Sequence, residues 1–193
     1  AREIMGRNMF GVDDAIRHFG LSPKKHEIAA LAEITFSESV LEACKESHVL
    51  VAVLPFSILE IRGKAAGSDQ CLFYKQDWYN KQAFAKDRSE VGWHLVKKTP
   101  VTNSTNEAWI DQQKLLDKDD ETPKARVMVY TIVGHLLATG ERLFESTCVR
   151  CSDVDSFGCR VFVGYFGSFG LFVVDYWDDG RSDFIGVASS RKS

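Results

Sequence analysis

Between Pro123 and Gly140 the chain carries apolar residues on every side of a helical turn: Ala125, Val127, Met128, Val129, Tyr130, Ile132, Val133, Leu136, Leu137 and Ala138. Thr122-Pro123 ahead of the segment and Gly140 behind it mark a helix over Lys124 to Thr139. Pro has no amide hydrogen to leave unsatisfied at the first turn, and Gly accepts the left-handed conformation that closes the last one. A helix with no wet face is a core helix, and the rest of the chain must cover it. The composition allows this: 193 residues, 45% hydrophobic and 11% aromatic, suffice for one sizeable core with or without an appendage.

The residues before this helix divide in two. Asp13 to His18, stopped by Gly20, reads as a short helix. Ser22-Pro23 opens a second through Ile34, and Thr35-Phe36-Ser37-Glu38 is a capping box for a third through Lys45. Residues 1–46 therefore form a helical amino-terminal segment. His48 to Ile61 reads as a long apolar strand or strand pair bent at Pro55. Gly63 to Asn106 lacks periodicity and reads as loops with short strands. Ser104-Thr105-Asn106-Glu107 is a capping box for a helix through Leu116, and Lys118-Asp119-Asp120-Glu121 reads as a solvated connector. From Phe144 onward, four or five short strands are separated by Gly and Asp.

Several function classes find no support. A net charge of -3 and scattered basic residues give no footprint for nucleic acid. The longest apolar runs, Val49 to Phe56 and Phe172 to Val174, fall far short of the roughly eighteen residues of a membrane span. Arg2, Glu3, Arg7, Asp13, Asp14 and Arg17 break any signal-peptide pattern in the first twenty residues. Cys44, Cys71, Cys148, Cys151 and Cys159 are odd in number, widely spaced and too few to replace a core, which fits a reducing setting, and the Cys148 and Cys151 pair reads as buried structural thiols. Cys148-Val149-Arg150-Cys151 has half-site spacing, but no second half closes a tetrahedron, so no metal is expected. His18, His26, His48, His94 and His135 are dispersed and fit no hydrolase or metalloprotease spacing. His135 reads as a core histidine. Gly164 to Gly170 precedes a strand rather than a helix and so is no phosphate loop. No catalytic set and no cofactor emerge.

The tail is anomalous in composition. Ser146 to Arg191 contains no Lys, Glu, Gln or Met, although these four types account for 32 of the 145 residues before it. Strand propensity depletes Lys and Glu, but it does not remove Gln and Met. The genetic code does: an Asn codon, AAY, whose two adenines are free to change reaches Phe, Tyr, Cys, Ser, Gly, Val and Asp but never Lys, Glu, Gln, Met or Trp.

The stretch from Gly170-Leu171-Phe172-Val173-Val174-Asp175-Tyr176-Trp177-Asp178-Asp179-Gly180 through Ile185-Gly186-Val187-Ala188-Ser189-Ser190-Arg191-Lys192 resembles the variable region of the C-type lectin-fold variable proteins of diversity-generating retroelements. In those proteins, reverse transcription with errors at template adenines rewrites Asn-type codons. Thr99-Pro100-Val101 to Glu145 resembles a group of them from archaeal viruses and small-genomed prokaryotes. The resemblance implies an α+β chain of C-type lectin fold, in the branch like the formylglycine-generating enzyme. That fold is a small antiparallel sheet flanked by two helices, here Asn106 to Leu116 and Lys124 to Thr139. It would occupy residues 47–193, with a variable region of about 157–184; residues 1–46 have no counterpart in that fold and read as a helical segment, an appendage for docking to a larger particle or partner. It implies no catalysis, a protein or other surface macromolecule as ligand, and a virion or cell-surface setting.

Gly167, Phe169, Phe172, Val174, Asp175, Tyr176, Gly180, Ser182 and Phe184 read as variable ligand-binding positions, with Phe157, Cys159 and Phe162 as possible additional ones. Leu171, Val173, Trp177, Ile185 and Gly186 read as fixed scaffold, because exchangeable side chains need a rigid frame. Two other classes remain open. Trp177-Asp178-Asp179 resembles the Trp-Asn-Asp motif of calcium-dependent sugar-binding lectins, though their Pro-containing partner motif is absent. Cys148, Cys151 and Cys159 keep a Cys-dependent oxidase of the formylglycine-generating type in view. The retroelement reading makes a genomic prediction: a near-copy of the 3′ coding segment should lie nearby and encode Asn at most of the nine positions. Sequencing the flanking DNA checks it, and mismatches spread over all four bases would count against it.

Overall fold

The structure, a computed structural model, describes residues 1–65, 71–89 and 91–192. Its helices are α1 (Arg2–Met5), α2 (Val12–Phe19), α3 (Lys25–Ala29), α4 (Glu38–Cys44), α5 (Ile58–Ala65), α6 (Ala83–Lys86), α7 (Trp109–Lys114) and α8 (Ala125–Thr139). Its strands are β1 (Met9–Phe10), β2 (His48–Val53), β3 (Gly92–Lys97), β4 (Asp120–Glu121), β5 (Cys148–Val154), β6 (Arg160–Gly167), β7 (Gly170–Tyr176), β8 (Ile185–Val187) and β9 (Ser190–Arg191). The architecture is α+β with two mixed sheets. One has the order β1-β2-β3-β9-β4, parallel only between β1 and β2. The other has the order β7-β6-β5-β8, parallel only between β5 and β8. The resemblance implied one small antiparallel sheet, and each observed sheet instead takes in a parallel strand. No helix among the described residues is long and apolar enough to cross a membrane.

Helix α8 starts and stops as its sequence requires. The Ala125 amide donates to the Asp153 carboxylate at 2.6 Å, and Gly140 closes the helix in the left-handed region at φ 77. Residues Ala125 to Leu136 are all buried. The helix packs against β1 and β2 of the first sheet and against β5 and β6 of the second, so one apolar cluster joins both sheets through it. His135, fully buried on this helix, lies 3.4 Å from Glu141 through Nε2, and burial pulls its pKa down.

The amino-terminal segment is part of this core. Phe10, Ala15, Phe19, Leu21 and Leu31 belong to the same buried cluster as α8, and β1 extends the first sheet beside β2. The Phe10 ring lies so close to Gly134 that a Cβ there would sit 2.9 Å from it.

Four local readings change. Ile58 to Ile61 is helical, because Ser57 and Glu60 form a reciprocal cap: the Ser57 amide donates to Glu60 at 2.9 Å and the Glu60 amide to the Ser57 hydroxyl at 3.3 Å. The Ser104 hydroxyl, read as a helix cap, is buried and accepts from the Val187 amide at 3.1 Å, so α7 begins later, at Trp109. Helix α3 ends at Ala29, short of Ile34. Asp120, read as part of a solvated connector, is buried in β4 and accepts from Arg191 at 2.9 Å. The loop reading of Gly63 to Asn106 holds in part, with β3 and α6 inside it. Its residues 66–70 and 90 lie outside the described residues.

Removing the Phe10 ring should therefore damage the whole protein rather than release an appendage. Phe10→Ala should cost about 3–5 kcal/mol in urea unfolding monitored by circular dichroism, with a single cooperative transition. A loss below about 1 kcal/mol would mark the amino-terminal segment as separable.

Candidate ligand-binding surface

Strand β7 alternates. Leu171 and Val173 point into the core with no exposed surface, while Phe172, Val174 and Tyr176 point away and are half-buried or exposed. The outward face of this sheet carries a second, smaller cluster of Cys148, Phe162 and Ile185 with Val174 against it. The loop from Trp177 to Phe184 lies on that face and is stitched to the start of α7. The Asn106 amide donates to the Ser182 carbonyl at 2.8 Å, and the Trp109 amide to the Asp178 carbonyl at 2.8 Å.

Arg150 on β5 holds this arrangement from below. Its side chain is fully buried, yet Nη1 donates to the Glu107 carbonyl at 3.0 Å and to Gln112 Oε1 at 3.0 Å. Nη2 donates to the carbonyls of Trp177 at 3.2 Å and Gly180 at 2.6 Å. Gln112, also fully buried, passes its amide to the Ser104 and Ile185 carbonyls. Burial lowers the Arg150 pKa, but a guanidinium stays charged. Above it, Arg160 binds the Asp178 carboxylate through Nε at 3.0 Å and Nη2 at 2.9 Å and lies 4.0 Å from the Trp109 ring centroid.

A row of aromatic rings crosses the outward face. Tyr74 stacks on Phe172 at 4.1 Å, Tyr165 meets Phe172 edge-on at 6.4 Å, and Tyr165 reaches Phe184 at 6.1 Å. Offset and edge contacts of this kind hold rings in place beyond the area they bury. Tyr165 joins the row because β6 bulges between Gly164 and Gly167. Gly164 takes φ +151, a Cβ there would lie 2.2 Å from the Thr147 carbonyl oxygen, and Tyr165 itself sits at φ 46. The bulge turns outward a side chain that regular alternation would direct elsewhere. Tyr74 arrives from a distant segment that pairs with the β7 edge through Phe73 and Leu171.

None of the nine positions read as variable is buried. Phe169 is 73% and Phe184 56% exposed, Tyr176 is exposed, and Gly167, Phe172, Val174, Asp175, Gly180 and Ser182 are partly so. Gly167 has open space where a Cβ would stand. Gly180 does not, since a Cβ there would lie 2.1 Å from the Tyr176 ring, so these two positions are sterically coupled. Of the possible additional positions, Phe157 is exposed. Cys159 and Phe162 are buried, at 5% and 8% exposure, and are corrected to interior positions, because Phe162 fills the cluster under the loop and Cys159 tucks into the β5–β6 turn.

The interleaved residues Leu171, Val173, Ile185 and Gly186 are buried, and a Cβ at Gly186 would meet Pro100 at 2.7 Å. Trp177 is the exception, 61% exposed. Its place is fixed through its backbone carbonyl, which accepts from Arg150 and from the Gly180 amide, while its ring faces outward.

The sequence reading missed Tyr165 and Tyr74. Tyr165 was legible as another AAY-reachable aromatic beside a Gly, whereas Tyr74 carries no sequence signal.

The thiols are separated. Cys148 and Cys151 lie on opposite faces of β5 in different clusters, and burial pushes Cys148 up to about 12 and Cys151 well above the usual thiol range. Among the described residues, Asp155, Cys159 and Asp175 bring their ligand atoms within 4.8 Å of one another. Asp155 is already used by the turn, accepting from the Phe157 and Cys159 amides at 2.9 and 2.8 Å. Burial, followed by the two carboxylates, pushes the Cys159 thiol up.

No family model, curated protein or solved structure matches the chain.

The surface and its support should separate in unfolding experiments. Phe169→Ser, Phe184→Ser and Trp177→Ala should each change the urea unfolding free energy by no more than about 0.5 kcal/mol. Arg150→Met, which strips a donor from three backbone carbonyls and from the buried Gln112, should cost about 3 kcal/mol or more. A comparable loss for Trp177→Ala would return that residue to the scaffold.

Proposed function

We propose that this chain is a ligand-binding display protein of C-type lectin fold, whose carboxy-terminal residues are diversified to bind varied macromolecular targets, chiefly proteins. One observation carries the reading: the nine positions read as variable, which run from the β6–β7 turn along β7 into the loop after it, are all at least partly exposed, while Leu171, Val173, Ile185 and Gly186 between them are buried. A rigid frame with exchangeable surface residues is what a diversified site requires. The fold reading draws support from α7 and α8, which pack on the four-stranded sheet through β8 and through β5 and β6. Aromatic side chains on a pre-organised surface supply contact area at low entropic cost, as in antibody paratopes.

A carbohydrate-binding module is the second reading, favoured by the exposed Trp177 and Tyr74 rings, which can stack on sugar faces. A calcium-dependent form of it is weakened because both Asp178 oxygens are taken by Arg160. The thiol-oxidase reading loses support from the burial and high pKa of Cys148 and Cys151.

The test is a display library in which the nine positions are randomised with codons reachable from AAY. Most members should fold, and selection against unrelated protein targets should yield binders whose affinity depends on residues at 172, 176 and 184. Truncating such anchor residues should weaken binding by about 2 kcal/mol or more. A library that is mostly unfolded, or binders indifferent to these positions, would sink the proposal. Glycan-array binding that Trp177→Ala abolishes would favour the second reading.

A further inference from the structure

Every arginine around the outward face is already engaged. Arg150 is buried beneath the loop, Arg160 is held by Asp178, and Arg181 pairs with Glu107 at 2.7 Å and Asp111 at 3.4 Å. Arg142 donates to the Gly167 carbonyl at 3.0 Å with its guanidinium over the Phe166 ring. Asp179 and Asp183 differ. Both are exposed, and among the described residues their side chains make no ion pair or hydrogen bond. They sit in the same loop as the exposed rings of Trp177 and Phe184. Carboxylates beside open aromatic faces attract ammonium and guanidinium groups, the first by charge and the second by the ring quadrupole. Lys75 follows Tyr74 at the other end of the row and is exposed, so the acidic character belongs to the Phe184 end.

We propose that the partner is a protein segment that seats Lys or Arg side chains against the Trp177–Phe184 loop, with apolar side chains along the Tyr165 and Phe172 rings. The inference rests on the display reading and adds the charge of the ligand. Complementary charge of this sort selects partners and register more than it adds raw affinity.

The test is a titration of the isotope-labelled full chain with blocked hexapeptides, followed by amide chemical shifts. The probes are Gly-Leu-Lys-Lys-Leu-Gly and its versions with Glu or Ser in place of both Lys. The lysine peptide should shift the amides of 172–176 and 177–184 with an apparent affinity about threefold above the serine peptide, the size of one or two exposed ion pairs. The glutamate peptide should be weaker still. The combined D179N and D183N variant should erase the preference, while E33Q with E46Q, which removes the same charge from exposed residues of the amino-terminal region, should keep it. Equal affinity for the three peptides, or a preference that survives D179N and D183N, overturns the basic-partner inference and leaves the display reading standing if the aromatic row still responds. Lysine-peptide shifts confined to other surfaces, or none at millimolar peptide, also overturn it. The display reading itself stands or falls by the randomised library.

Discussion

The guanidinium of Arg150 lies under the carboxy-terminal loop with no exposed surface. A charge in that position is costly unless its donors are met, since desolvation alone amounts to several kcal/mol. Four acceptors meet them, three of them backbone carbonyls from two chain segments far apart in sequence, and only Nε lacks one among the described residues. The outward half of the molecule depends on this single side chain. Through it, β5 fixes the start of α7, the loop after β7 and, by way of Gln112, the start of β8. Because the acceptors at Glu107, Trp177 and Gly180 are backbone atoms, the clamp holds the loop's path without constraining the side chains the loop displays.

Beneath that clamp the molecule is organised by α8. A helix apolar all round needs cover on every side, and two sheets together with the amino-terminal helices provide it. Gly134 allows the Phe10 ring to approach the helix backbone, which draws β1 and α2 into the same packed unit. The outward face of the four-stranded sheet stands on β5, β6 and β7, whose inward residues are buried, rather than on a flexible connection.

The surface itself departs from what folding alone favours. Exposed rings at Phe169, Trp177 and Phe184 gain nothing by facing water, and Tyr165 occupies a left-handed backbone region that a bulky residue adopts at a cost. Exposed apolar side chains that gather mark interaction sites more often than isolated ones do, and here Phe184 meets Tyr165 while Phe172 meets both Tyr165 and Tyr74. The steric coupling of Gly180 to Tyr176 adds a constraint: a larger residue at 180 requires the ring at 176 to move, so the two positions cannot vary independently.

What could be read from the chain followed from local rules. The apolar residues on every side and the flanking Pro and Gly determined α8, Gly20 determined the end of α2, and the alternation of β7 separated Leu171 and Val173 from Phe172 and Val174. Of the twelve tail positions read as variable or possibly so, ten are at least partly exposed, and Cys159 and Phe162 are buried. Local rules failed where a distant partner competed for the same group. Ser104 resembled a helix cap until Val187 took its hydroxyl, and Asp120 resembled a solvated acid until Arg191 and β9 covered it. Trp177 looked like scaffold because its codon class is fixed, but its backbone rather than its ring carries that role. Tyr74 enters the aromatic row only through pairing of its segment with the β7 edge, and the burial of Arg150 arises only when the start of α7 and the loop after β7 converge on it. The sequence determined where most of the helices and the tail strands run, since those depend on neighbours along the chain. The tertiary structure alone decided which of them meet, because hydrogen-bond acceptors for a buried charge and cover for an apolar face come from residues many positions away.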